Sequence, residues 1–166
     1  MIYYTKLKSI ALNSYIFFAK NKKGICRIDF TKNENEFVNS LKKKYNDEVI
    51  FSPKMMLKEA KQLKKYFEGK GKGLSLKSAP SGSDFQLRVW NAISKIPYGK
   101  TISYTGLAKA VKEPKAFRAV ANACGKNPVP IVIPCHRVIS KDGSLGGYSG
   151  GLDMKKSLLK IEKIKL

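Results

Sequence analysis

Between Gly69 and Ser83 the chain has little hydrophobic periodicity: GKGKGLSLKSAPSGS repeats at neither 3.6 nor 2 residues and reads as a linker. That break constrains the fold more than any other feature, because the patterning on its two sides differs. Of the 166 residues 43% are hydrophobic, enough for one substantial core or two small ones. Two domains are expected, 1–80 and 81–166. Before the break, Tyr15-Ile16-Phe17-Phe18 and the run Ile25, Arg27, Ile28, Phe30 flank the turn Asn21-Lys22-Lys23-Gly24, a β-hairpin. Phe37, Leu41 and Tyr45 then recur at helical spacing, as do Met56, Leu57, Ala60, Leu63 and Phe67 before Gly69.

After the break the signals are mostly helical. Phe85, Val89 and Ile93 mark a helix capped by Ser83 or Ser81 and stopped at Pro97-Tyr98-Gly99. Ser103 caps a short helix carrying Leu107 and Val111, and Pro114 fits the first turn of another, running through Ala116–Cys124 to Gly125. Two short helices joined by a tight turn outline a helix-turn-helix. The second is rich in small residues and carries one long basic side chain, Arg118. Asn127-Pro128-Val129-Pro130 excludes a helix interior. Ile131-Val132-Ile133 is expected as a short buried strand ended by Pro134, followed by Cys135-His136-Arg137 and a loop holding Gly143, Gly146, Gly147, Gly150 and Gly151. A last helix places Met154, Leu158 and Ile161 on one face. The fold class is α/β (α+β): a small N-terminal sheet-plus-helix domain, then a mostly helical domain with a helix-turn-helix and a short strand leading to the reactive Cys.

The formal charge is +21, with eighteen basic and seven acidic residues up to 80 and fifteen and five beyond. An excess spread through both parts, rather than gathered in a tail, favours a polyanionic partner. No run of apolar residues is long enough to span a membrane and the first twenty residues lack a secretory h-region, so a cytoplasmic protein is expected. Three cysteines, Cys26, Cys124 and Cys135, form neither an even disulfide set nor a C-x-x-C pair, and one His cannot complete a closed zinc site. Cys26 and Cys124 fall within a strand and a helix and read as inert. Cys135 adjoins the only His and an Arg, where positive charge and a base favour the nucleophilic thiolate. Neighbours in an extended chain point to opposite sides, so contact between Cys135 and His136 requires a bend or a bridging water.

NPVPIVIPCHRVI (127–139) and YSGGL (148–152), with the upstream SYTGLA and RAVANACGKNPVP, closely resemble the O6-alkylguanine-DNA alkyltransferase family, continuously from about Phe85 to Glu162. The resemblance implies stoichiometric transfer of an alkyl group from O6 of guanine in double-stranded DNA onto Cys135. The protein would act once, as a monomer without cofactor. It implies His136 as the general base acting through a water, Glu162 on the last helix as the acid orienting it, and Asn127 as a hinge. Tyr104 would meet the flipped guanine, Tyr148 and Ser149 would flank the alkyl group, and the Cys135 and Val138 carbonyls would accept from the guanine amino group. Arg118 would fill the vacated base position from the minor groove, with Ala119, Asn122 and Ala123 also on DNA. Family members with a structural zinc hold it by Cys and His in the N-terminal domain; only Cys26 is available here, so no metal is expected.

The chemistry agrees with those roles. An O6-alkyl carbon lies inside the stacked duplex, so a buried thiolate needs the base turned out, and a long side chain filling the gap offsets part of that cost. Two other readings compete. A non-catalytic damage sensor on the same scaffold would replace the acceptor cysteine, which is present. A cysteine hydrolase would draw its Cys and His from separate segments and would turn over.

Overall fold

The structure is a computed structural model that describes residues 1–71 and 73–165. They form two compact units, Met1–Pro80 and Ser81–Leu166.

In the first unit, strands β1 (Ile2–Ser9), β2 (Ser14–Asn21) and β3 (Gly24–Asp29) run antiparallel, and β4 (Val49–Phe51) joins β1 in parallel, giving the order β3-β2-β1-β4. The expected hairpin is β2–β3. Its turn is closed by Lys23 N–H donating to Asn21 Oδ1 at 2.8 Å, and Gly24 takes φ +141°, where an added Cβ would collide with the Lys77 carbonyl. Strand alternation puts Ile2, Tyr4, Phe17, Ala19 and Cys26 on one face, covered by Phe37 and Leu41 of helix α1 (Glu34–Tyr45). Helix α2 (Leu57–Phe67) packs against β1, and its Glu59 meets Lys20 at 2.9 Å. The segment read as a linker is in part fastened down. Ile25 N–H donates to Lys77 O at 2.8 Å, Ala79 N–H donates to Ile25 O at 2.7 Å, and Ser75 N–H donates to Gln62 Oε1 at 2.9 Å. Its lack of side-chain period reflects a chain held by backbone bonds rather than by an apolar face.

In the second unit, helix α3 (Asp84–Ser94) opens with a capping box: Ser83 Oγ accepts from Gln86 N–H, and Gln86 Oε1 accepts from Ser83 N–H. Helix α4 (Tyr104–Ala110) is capped by Ser103, whose Oγ accepts from Gly106 N–H at 3.0 Å. Helix α5 (Phe117–Gly125) lies behind a turn through Lys112, which takes φ +62°. Pro114 therefore stands in that turn and not in the helix. The chain closes there by Glu113 N–H to Ala108 O and Ala116 N–H to Glu113 O, and no side chain caps Phe117. Val89, Trp90 and Ile93 build the core with Leu107, Ala108, Val120 and Ala123, and Trp90 Nε1–H donates to the Ala123 carbonyl at 2.8 Å.

The strand expected at 131–133 is absent. Prolines at 128, 130 and 134 remove three ladder donors. The chain instead folds into a tight turn in which Ile133 N–H donates to Val129 O at 2.9 Å and Ile131 takes φ +74°. The run is apolar because it is buried, not because it is extended. A 3-10 turn, Cys135–Arg137, follows, and then the two-residue strand β6 (Val138–Ile139), parallel to β5 (Ile102–Ser103). Helix α6 (Leu152–Ile161) ends the unit, and Glu162 is its C-cap residue rather than part of the helix.

Candidate active site

Cys135 sits at the head of the 3-10 turn, 5% exposed. The turn supplies the bend that an extended chain would have denied to the Cys-His pair. Asn127 holds the site from below: its Nδ2 donates to Ile133 O at 2.7 Å and to Cys135 Sγ at 3.1 Å, and its Oδ1 accepts from Val129 N–H at 3.0 Å. Every polar atom of that amide is therefore used to fix the thiol against the turn before it. Burial pushes the Cys135 thiol up, while the Asn127 bond, the Lys155 charge and the Tyr148 hydroxyl pull it back.

The β5–β6 pairing, Ile102 opposite Val138 and Ser103 opposite Ile139, brings the first residue of α4 beside the residues that follow the thiol. That residue is Tyr104. Its hydroxyl donates to Gly147 O at 3.2 Å, and burial together with Cys124 and Cys135 pushes its pKa up to about 12. Gly146 at φ +64° lies flat against this ring, where a Cβ would stand 2.8 Å from Tyr104 Cε2. Tyr148 turns its hydroxyl inward to a buried position beside the thiol, and Ser149 is exposed. The Cys135 carbonyl accepts from Val138 N–H and the Val138 carbonyl from Lys155 Nζ.

Behind the thiol, His136, Arg137 and Glu162 are 0%, 6% and 2% exposed. Glu162 Oε2 accepts from Arg137 Nε at 2.8 Å and Gly99 N–H at 3.2 Å; its Oε1 accepts from Arg137 Nη2 at 2.9 Å and lies 2.7 Å from His136 Nε2. A carboxylate so surrounded is an acceptor only, so Nε2 carries the proton and donates, and Nδ1 keeps the basic lone pair. Burial holds the imidazole pKa below its ordinary value, with Glu162 opposing. Burial therefore works against the charged form of both the thiol and the imidazole.

On α5, Arg118, Ala119 and Asn122 are exposed along one face, and the Arg118 guanidinium lies 5.6 Å from the centre of the Phe117 ring. Ala123 is not on that face. It is 3% exposed and its carbonyl is taken by Trp90, because the i, i+4 step from Ala119 is carried inward by packing on α3.

Two residues escaped the sequence reading. Arg137 was noted only as a neighbour of the thiol, yet it holds Glu162 bidentately and donates to Ile96 O at 2.6 Å. Its signal was rarity, since the chain has four arginines. Lys155 is fully buried on α6 and donates to the carbonyls of Val138, Leu145 and Gly147. Its signal was a charge three and four residues before Leu158 and Leu159, inside the apolar stripe. Among the described residues no group of three or more His, Cys, Asp or Glu is placed to hold a metal ion.

A nucleophile seated behind the exposed face of a helix-turn-helix defines a class: proteins that do covalent chemistry on nucleic acid. Residues 84–164 match the 6-O-methylguanine DNA methyltransferase DNA binding domain, and residues 2–80 match that family's ribonuclease-like domain. The chain belongs to the 6-O-methylguanine DNA methyltransferase family. It is 43% identical over 151 residues to the methylated-DNA–protein-cysteine methyltransferase of Methanosarcina barkeri, covering 91% of this chain and 92% of that one. The fold superimposes on the crystal structure of Mycobacterium tuberculosis O6-methylguanine methyltransferase with a TM-score of 0.83 at 33% identity, covering 98% of this chain and 93% of that one. It superimposes equally, at 0.83 and 32% identity over 97% and 92% of the two chains, on Mycobacterium tuberculosis OGT in complex with DNA.

Proposed function

We propose that this protein repairs double-stranded DNA by moving an alkyl group from O6 of guanine onto Cys135, once per molecule. The observation that carries this is a buried thiol held by Asn127 at the head of a turn whose next residue is a base backed by Glu162. His136 Nδ1 takes the thiol proton through a water, and the sulfur attacks the alkyl carbon. The C–O6 bond breaks with its electron pair on the guanine, which ends with the proton the thiol gave up. Tyr104 meets the flipped base, Tyr148 and Ser149 flank the alkyl group, and the Cys135 and Val138 carbonyls accept from the guanine amino group. Arg118 fills the vacated stack, with Ala119 and Asn122 on the groove. Residues 81–166 carry binding and transfer, and 1–80 have a structural role. The protein works as a monomer in the cytoplasm, where its three cysteines stay reduced.

Incubation with duplex DNA containing O6-methylguanine should leave the intact protein about 14 Da heavier, a methyl replacing a proton. Cys135→Ser should remain folded, bind duplex DNA and gain nothing. No gain by the native protein, or steady turnover in excess lesion, overturns the assignment; turnover would favour a hydrolase.

A further inference from the structure

Helix α3 turns Val89, Trp90 and Ile93 into the core and leaves Arg88, Asn91, Ala92 and Lys95, at i, i+3, i+4 and i+7, on a second face. That face is one wall of an open groove of about 580 Å³, and the others are the loop 96–102 and the end of α4 from Ala110 to Lys112. The floor is apolar, made by Ala92, Ile96, Pro97, Ile102, Ala110 and Val111. The rim is cationic: Arg88, Lys95, Lys100 and Lys112 are all exposed, and no lining residue is acidic. Glu113, just outside, reaches Arg88 at 3.5 Å, but with the two side chains 58% and 45% exposed the pair is weak and yields to a better acceptor. The groove is held open before anything enters. Arg137 Nη1 donates to Ile96 O at 2.6 Å, Gly99 N–H donates to Glu162 Oε2 at 3.2 Å, and Ile102 is paired with Val138, so its loop wall is fastened at both ends and in the middle. None of its lining residues belongs to α5 or takes part in the proposed transfer.

We propose that this groove docks a short acidic segment of a partner protein, one large apolar side chain of which lies on the floor while its carboxylates meet the rim. The volume suits a peptide side chain and its neighbours, and a preformed apolar floor ringed by charge is how such anchors are recognised. Nucleic acid fits the groove less well. Single strands are held by stacking on aromatic rings, and among the described residues no aromatic side chain lines it. An apolar floor also offers a phosphate no donor. A second copy of the chain fits no better: its only adjacent acids, Asp47 and Glu48, lead into β4, which is paired to β1, and Asp47 is already held by the amino terminus. The charge of +21 draws any acidic segment to the surface. The apolar anchor is what selects this groove over the other lysine clusters, such as Lys42-Lys43-Lys44 on α1.

The probe is a fluorescein-labelled peptide of four aspartates followed by leucine and phenylalanine, and its control ends instead in two serines. At physiological salt the full-length protein should bind the first peptide one to one, with a Kd on the order of tens of micromolar. The control should bind about tenfold more weakly or worse, the scale of one buried apolar side chain. Amide shifts in the 15N-labelled protein should move at Ala92, Thr101, Ile102 and Val111 and not along α5. Neither measurement needs a variant. Lys95→Glu combined with Lys100→Glu should weaken binding by about tenfold, whereas Lys42→Glu combined with Lys43→Glu, an equal change of net charge outside the groove, should alter it by about twofold at most. Ala110→Phe, which fills the floor from an exposed position, should weaken binding by about tenfold and keep the native rate with free O6-benzylguanine. Equal binding of the two peptides, no binding at about 1 mM, equal weakening by the two charge reversals, or shifts centred on α5 overturn the proposal. So does oligothymidylate that moves the same amides and displaces the peptide, which would assign the groove to nucleic acid. Self-association of the native protein that Ala110→Phe abolishes would assign it to a second copy and overturn the proposal too.

Discussion

Arg137 and His136 draw on the same carboxyl, and that shared acceptor sets how the site responds to pH. Because burial depresses the folded-state pKa of His136, the folded protein binds a proton there less readily than the unfolded chain, whose value is 6.5. The stability this group contributes is therefore present above about 6.5 and is lost as pH falls towards the depressed folded value. Cys135 has the opposite sign. Its folded pKa is raised above 9.0, so its contribution is present below 9.0 and is lost as pH rises through the folded value. Unfolding free energy from urea melts should thus fall away on both sides of the interval from 6.5 to 9.0. In His136→Gln the decline just below 6.5 should flatten, and an unaltered decline would assign it to other groups. At this scale the adjacency of Cys135, His136 and Arg137 was legible because a lone His beside a Cys is chemically distinctive. Lys155 was not, for it is one of twenty-nine lysines, and the face read on the last helix, Met154, Leu158 and Ile161, does not include it.

Helices α3 and α4 were legible because their caps are written in single residues, Ser83 and Ser103, whose hydroxyls do in the structure what such residues do at helix starts. Strands β1 and β4 went unread. Both faces of β1 are partly buried, which erases alternation, and β4 is three residues long. The 131–133 run failed in the other direction, since three β-favouring side chains were placed in a proline-bounded turn where Ile131 takes a conformation that branched residues rarely adopt. The element whose proposed role can be tested apart from the chemistry is α5. Arg118→Ala should slow repair in duplex DNA by about ten- to a hundredfold, the scale of a partly uncompensated flipping cost. It should leave transfer from free O6-benzylguanine nearly intact, because that substrate needs no flipping. Equal losses on the two substrates, measured as second-order rates, would remove Arg118 from the role of finger.

Over the whole chain the excess of +21 predicts binding that weakens steeply with salt, by a slope of about −0.9 per phosphate neutralised on B-DNA. It also leaves open how a tightly held protein departs after one reaction. The site suggests the means. Methylation puts a methyl group where Cys135 is 5% exposed, at a typical overpacking cost of about 1–3 kcal/mol. It also turns the sulfur that accepts from Asn127 Nδ2 into a more crowded thioether, a weak acceptor, and the backbone N–H of Asn127 donates to Cys124 O at the end of α5. The new methyl returns only about 0.8 kcal/mol of apolar burial. Fully methylated protein should therefore melt a few degrees below the free protein in the same buffer without DNA. An equal or higher melting temperature would mean that the site has room to spare, and departure from DNA would need another cause.

The bond from Trp90 to Ala123 has an optical consequence. This is the only tryptophan in the chain, and its indole N–H is tied to a carbonyl of the helix that carries Arg118. Emission from the native protein is therefore a label-free report from behind the recognition helix, sensitive to any strain that shortens or breaks one 2.8 Å bond. Docking on duplex, methylation and release can be followed in sequence on a single sample, with the molecule supplying its own dye.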